Sequence, residues 1–127
     1  MSLPVHIPAS APGIRVMNEA RKGGMKYSLL VDAEGGPSTD LSQGIFFLGA
    51  GHTEALHRHD IVETMYILEG TGHALLSDQK IDLAPGDTLF IPAGQPHGFV
   101  AETDMKMLFT FPVPRFSDVT YHFENAA

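Results

Sequence analysis

The chain has 127 residues, 43% of them hydrophobic and 18% charged, a composition that excludes a disordered segment and fits one globular domain with its own core. Its formal net charge of -7 argues against a nucleic-acid backbone as partner. There is no cysteine, which excludes disulfides and thiolate metal sites.

The opening stretch, Met1 to Gly13, has no basic region followed by an apolar run and does not read as a signal peptide. No segment approaches the ~18 consecutive apolar residues of a membrane span. The expectation is a cytoplasmic protein without membrane contact.

In chain order, residues 1–24 read as an N-terminal arm and 25–123 as a single β-barrel domain. Met25 to Asp32 alternates as a strand does. Glu34 to Ser38 is a Gly/Pro turn. Ile45 to Leu48 is an apolar run, and Gly49 to Gly51 turns the chain. Val62 to Leu68 reads as a strand that ends at Gly70-Thr71-Gly72. His73 to Ser77 and Lys80 to Leu83 flank a hairpin-like break at Asp78-Gln79. Ala84 to Asp87 is a strong turn. Thr88 to Ile91, His97 to Ala101 and Met105 to Phe111 are further strands, the last stopped by Pro112 and Pro114. Val119 to Phe123 is a candidate terminal strand. Short strands, frequent turns and no helical period predict an all-β double-stranded β-helix, or jelly roll, with little helix.

One polar set stands out. His57 and His59 are two apart and project from the same face of a strand. On a helix they would sit about 200° apart and could not share an ion. Glu63 is at another even offset and joins them if the strand runs on or bends sharply at Asp60. His97 adds a third imidazole. Three neutral imidazoles and a carboxylate make a metal-binding set of nitrogen and oxygen donors. It suits one divalent transition ion, Fe, Mn, Ni, Cu or Zn, without choosing between them.

These residues fall in two segments, G-x5-H-x-H-x3-E-x6-G from Gly51 to Gly70 and G-x5-P-x-G-x2-H from Gly86 to His97. Together they resemble the two signature motifs of the cupin superfamily. The first matches at Gly51, His57, His59, Glu63 and Gly70, and the second at Gly86, Pro92, Gly94 and His97. The second departs at Ala101, where the family usually has Asn, a position that is not a metal ligand. The resemblance implies a cupin barrel with His57, His59, Glu63 and His97 as metal ligands. It does not imply one reaction, since the superfamily hosts dioxygenases, lyases, isomerases, decarboxylases and binding domains.

Alternation from Glu63 and His97 turns Met65, Ile67 and Phe99 toward the same interior. Lys106 and Thr110 prefer the outside, so Met105, Met107, Phe109 and Phe111 face in. These seven are the expected walls of an apolar small-molecule pocket or, equally, a barrel core. Between Gly51 and Ala101 the basic residues are Arg58 and Lys80 alone. Arg58 faces away from its two histidine neighbours. A small dianion usually needs a cationic partner, so the expected substrate is neutral or monoanionic and binds through oxygen. Arg15, Arg21, Lys22 and Lys26 read as solvated surface, with reach from the N-terminal region to a pocket mouth as the alternative. The leading expectation is a mononuclear Fe(II)-type dioxygenase. The alternatives are a redox-neutral lyase, isomerase or decarboxylase, or a non-catalytic barrel that binds a sugar or metabolite. The redox-neutral route needs a proton shuttle, for which Tyr27 and Glu54 are the candidates, with Glu54 placed in a surface turn before His57. A homodimer is expected, with the arm and the Val119–Phe123 strand covering a neighbour's sheet edge.

Overall fold

The structure, a computed structural model, describes residues 3–36 and 38–124. Eleven strands form two antiparallel sheets among the described residues. The strands are β1 (Arg15–Val16), β2 (Lys26–Val31), β3 (Ser42–Leu48), β4 (Thr53–Arg58), β5 (Glu63–Glu69), β6 (Gly72–Leu75), β7 (Lys80–Leu83), β8 (Thr88–Ile91), β9 (His97–Ala101), β10 (Met105–Phe111) and β11 (His122–Phe123). The first sheet runs β1-β2-β3-β10-β5-β8 and the second β11-β4-β9-β6-β7. This is the expected all-β jelly roll. Among the described residues, helix is confined to single 3-10 turns at Ala20–Lys22 and Phe116–Asp118, and no helix is long and apolar enough to cross a membrane.

Alternation builds the core. In β10, Met105, Met107, Phe109 and Phe111 are buried and the residues between them are partly exposed. β5 does the same with Glu63, Met65 and Ile67. Phe109 pairs with Met65 across the ladder, and Gly44 of β3 lies opposite Phe109 on the other side. Phe46 then stacks on Phe109 at 4.1 Å between ring centroids. A side chain at Gly44 would strike the Phe109 ring at 2.5 Å, so glycine there makes room for the aromatic core.

Two backbone features position the site. The β4–β9 ladder pairs Glu54 with Phe99 and His57 with His97, with a register shift between. That bulge lets Glu54 and His57, three residues apart, both turn inward. Gly98 sits beside it, and a Cβ there would meet the Glu54 carbonyl at 2.3 Å. The chain then leaves the second sheet after Arg58 and enters the first at Glu63, so of the two alternatives, a strand that runs on or a sharp bend at Asp60, the bend is the one observed.

The C-terminal stretch departs from expectation. Phe116–Asp118 is a 3-10 turn whose first backbone N–H donates to Asp32, and the strand shrinks to His122–Phe123. That strand pairs with β4 of its own chain, Phe123 opposite His57. Within the N-terminal stretch, β1 pairs with β2.

Candidate metal centre

Four of the sequence-predicted residues converge. His57 ends the inward face of β4, His59 follows on the crossing segment, Glu63 opens β5 and His97 opens β9. All four are buried. The three imidazoles each offer a ring nitrogen, all within 4.8 Å of one another. Glu63 Oε1 lies 3.5 Å from His59 Nε2 and 3.4 Å from His97 Nε2.

The protein fixes the orientation of each ring. His57 Nδ1 donates to the Ala55 carbonyl at 2.8 Å, His97 Nδ1 to Gln95 at 2.8 Å and His59 Nδ1 to Thr120 at 2.9 Å. A carbonyl oxygen only accepts, so each Nδ1 carries a proton, and in the neutral ring the Nε2 lone pair is left to face inward. This is the outer-shell pattern that orients histidines for a metal. Among the described residues, Glu63 Oε1 and His97 Nε2 are buried without a hydrogen-bond partner. Acceptor atoms gathered in this way are costly unless a cation lies between them. The residues present therefore fit a divalent ion.

Electrostatics agree. Burial, with the charge of His97 second, lowers the His57 pKa to about 3 despite the Ala55 bond. The ring stays neutral and ready to ligate. Burial alone would raise the Glu63 carboxyl, but His59 and His97 beside it hold it below its ordinary value. It is a carboxylate at neutral pH.

The surroundings correct the sequence reading at several points. Glu54, expected on a surface turn, is 2% exposed within β4. Its Oε1 is 4.0 Å from His57 Nε2, because the bulge turns it toward the site. Burial, reinforced by the charge of Glu63, pushes its carboxyl well above the usual range. Lys22, expected on solvated surface, is half-buried. Its Nζ lies 3.6 Å from the centroid of the Tyr121 ring. Tyr121 in turn packs against His57 at 4.9 Å and His59 at 4.6 Å between ring centroids. Burial holds its phenol protonated, with Glu54 and Glu63 adding to the effect. Lys22 and Tyr121 thus roof the centre; the sequence offered Lys22 only as an alternative at a pocket mouth and did not single out Tyr121. The other proton-shuttle candidate, Tyr27, packs on Phe116 at 5.2 Å.

All seven expected pocket walls, Met65, Ile67, Phe99, Met105, Met107, Phe109 and Phe111, are buried in the hydrophobic core. Met105 borders a separate cavity that also includes His52 and Asp104. Phe99 borders an apolar cleft that reaches His97.

The cupin domain model matches residues 32–111, which is more than half of the chain. The chain belongs to the cupin family. As a cupin it is similar over its whole length to the polyketide cyclase RemF from Streptomyces resistomycificus, with a TM-score of 0.81, 23% identity and 88% of that chain covered. A cupin-2 domain from Rhodospirillum rubrum aligns over 99% of this chain and 84% of its own, with a TM-score of 0.78 and 20% identity. Salicylate 1,2-dioxygenase from Pseudoaminobacter salicylatoxidans aligns over 80% of this cupin but 29% of its own chain, with a TM-score of 0.69 and 20% identity. At these identities the likeness is one of fold. An uncharacterized protein of Methanocaldococcus jannaschii is 42% identical over 48 residues, 37% of this chain and 38% of that relative. The match thus spans less than half of the curated relative.

Proposed function

We propose that this cupin is a metal-dependent enzyme acting on a small neutral or monoanionic molecule that binds through oxygen. His57, His59, His97 and Glu63 would hold one divalent ion. The carrying observation is that three carbonyls fix three imidazoles with their Nε2 lone pairs converging beside a carboxylate. When bound, the ion would act as a Lewis acid that polarises a substrate carbonyl or hydroxyl.

At the level of reaction class, Glu54 carries the choice. A redox-neutral lyase, isomerase or decarboxylase needs a group that moves a proton, and Glu54 is a buried carboxyl facing the imidazole cluster. Its placement supports this class. In this reading Glu54 exchanges a proton with the substrate. The apolar core around the site keeps bulk water away, and the Lys22–Tyr121 roof closes one side.

A second reading keeps the same four ligands in an Fe(II)-type dioxygenase. It is favoured by the donor set, three imidazoles and one carboxylate without thiolate, which suits ferrous iron. Oxygen uptake decides between the two. After anaerobic Fe(II) loading, the redox-neutral reading expects turnover of a metabolite panel at the same rate with and without O2. Consumption of O2 stoichiometric with product would overturn it in favour of the dioxygenase. Besides the small molecule, the partner we propose is a second copy of the chain. A cytoplasmic location completes this reading.

A further inference from the structure

We propose that the cleft between edge strands β7 and β8 receives the apolar part of the substrate, a single ring or a short branched chain. This rests on the metal-dependent reading for the fate of the ligand's oxygen-bearing end. The cleft itself can be tested without metal.

β7 and β8 are the last strands of their respective sheets, so the sandwich is open along this flank. A cavity of about 160 Å³ occupies the opening. Its walls come from both sheets. On one, the ladder sets Phe99, Ala74 and Ile81 in a row across β9, β6 and β7. Ala74 contributes only a methyl between two large neighbours, and that missing bulk leaves the space. On the other sheet, Leu89 and Ile91 face in from β8, with Phe90 at the mouth. Phe90 is 63% exposed and Ile81 38% exposed, so the entrance is apolar as well.

The inner end of the cleft is what gives it a function. It reaches His97, whose Nε2 is buried and unpartnered. Ile91 is paired directly with Glu63 across the β5–β8 ladder. A molecule seated here has its inner end at His97, one of the four proposed ligands. No charged side chain lines the cleft, so it would reject a dianion and accept an apolar body. Dry apolar cavities of roughly 150 Å³ accommodate benzene, which sets the size of the body at about one ring. Selectivity would then be read at Ala74, since a larger residue there would exclude the ring while leaving the ligands untouched.

The first test uses chelator-treated protein with labelled methyl groups, titrated with toluene and followed by NMR. Saturable shifts confined to Ala74, Ile81, Leu89 and Ile91 are expected. Ala74→Leu should weaken toluene at least tenfold. Phe90→Glu, at an exposed position where folding is not at stake, should weaken it severalfold. Shifts elsewhere in the molecule, or none, would overturn the proposal. The second test uses cobalt-loaded protein with two oxygen chelators, 4-nitrocatechol and acetohydroxamate. Ala74→Leu should weaken the ring-bearing ligand at least tenfold and leave acetohydroxamate within twofold. Equal effects on both would overturn the link to the metal. If cobalt does not bind at all, the metal reading fails, and the toluene result still judges the cleft.

Discussion

At the scale of single residues, the centre is a set of acceptors that the fold refuses to satisfy internally. Replacing His57 and Glu63 together by Ala should therefore abolish metal binding, lowering affinity by well over the ~100-fold that outer-shell losses can cause. The barrel should still unfold cooperatively, because the hydrophobic cluster of Phe46, Met65, Met107, Phe109 and Phe111 is built without these two residues. Loss of the cooperative transition would mean that the ion is structural. The pH dependence has a definite sign. His57 titrates at about 3 in the folded chain against 6.5 as its ordinary value, so between those values the unfolded state binds more protons. The metal-free protein should lose stability as pH falls from about 6.5 to 3, by an amount on the order of 4 kcal/mol from this group. Glu63, lowered from 4.5, adds to the loss below that value. Glu54, raised above 4.5, acts in the opposite sense, its penalty growing as pH rises. Melting temperatures of chelated protein across pH would check this, with Glu54→Gln stabilising most at the alkaline end. The three histidines and Glu63 were legible in the sequence because the spacing of two in His57-x-His59 means one face of a strand. Glu54 was named there as a proton-shuttle candidate on a surface turn, but its inward direction was not legible, since a bulge sets it. Tyr121 was not legible, since only the returning C-terminal segment, tied by His59 to Thr120, brings it there.

At the scale of elements, the β4–β9 pair holds the site. Its bulge turns Glu54 and His57 to one side, and its close backbone approach leaves no room at Gly98. Gly98→Ala should cost about 1–3 kcal/mol as an overpacked contact. It should also lower metal affinity, since the strand it pushes carries His57. A loss of stability with unchanged affinity would show that the bulge does not set the ligand geometry. The strand positions were mostly readable. The bounds of β8, β9 and β10 match the expected ones, and β10 follows the alternation residue for residue because it has one buried and one partly exposed face, whereas β9 also buries Gly98. The C-terminal strand was overread, since Phe116 and Val119 are buried by packing under a 3-10 turn and not by ladder pairing.

At the scale of the whole molecule, one flank of the sandwich is covered within the chain, by β1 on β2 and β11 on β4. The arm leaves Leu3, Val5, Ile14 and Val16 exposed. A run of aliphatic side chains in water is a natural association surface, and we propose the homodimer on this basis. Light scattering at micromolar concentration should give twice the chain mass, and Val5→Glu with Ile14→Glu should halve it. A monomeric mass for the unaltered chain would contradict this. The fold was legible in the sequence because turn residues punctuate regular short strands. The reaction was not, because a cupin barrel presents the same four ligands to many chemistries. The claim on which all else depends is that the converging Nε2 atoms and Glu63 hold a metal ion. It is tested most directly by elemental analysis of protein purified without chelator and again after reconstitution. One divalent transition ion per chain, absent from the His57→Ala, Glu63→Ala variant, is the predicted result. No bound ion under either condition would contradict the account.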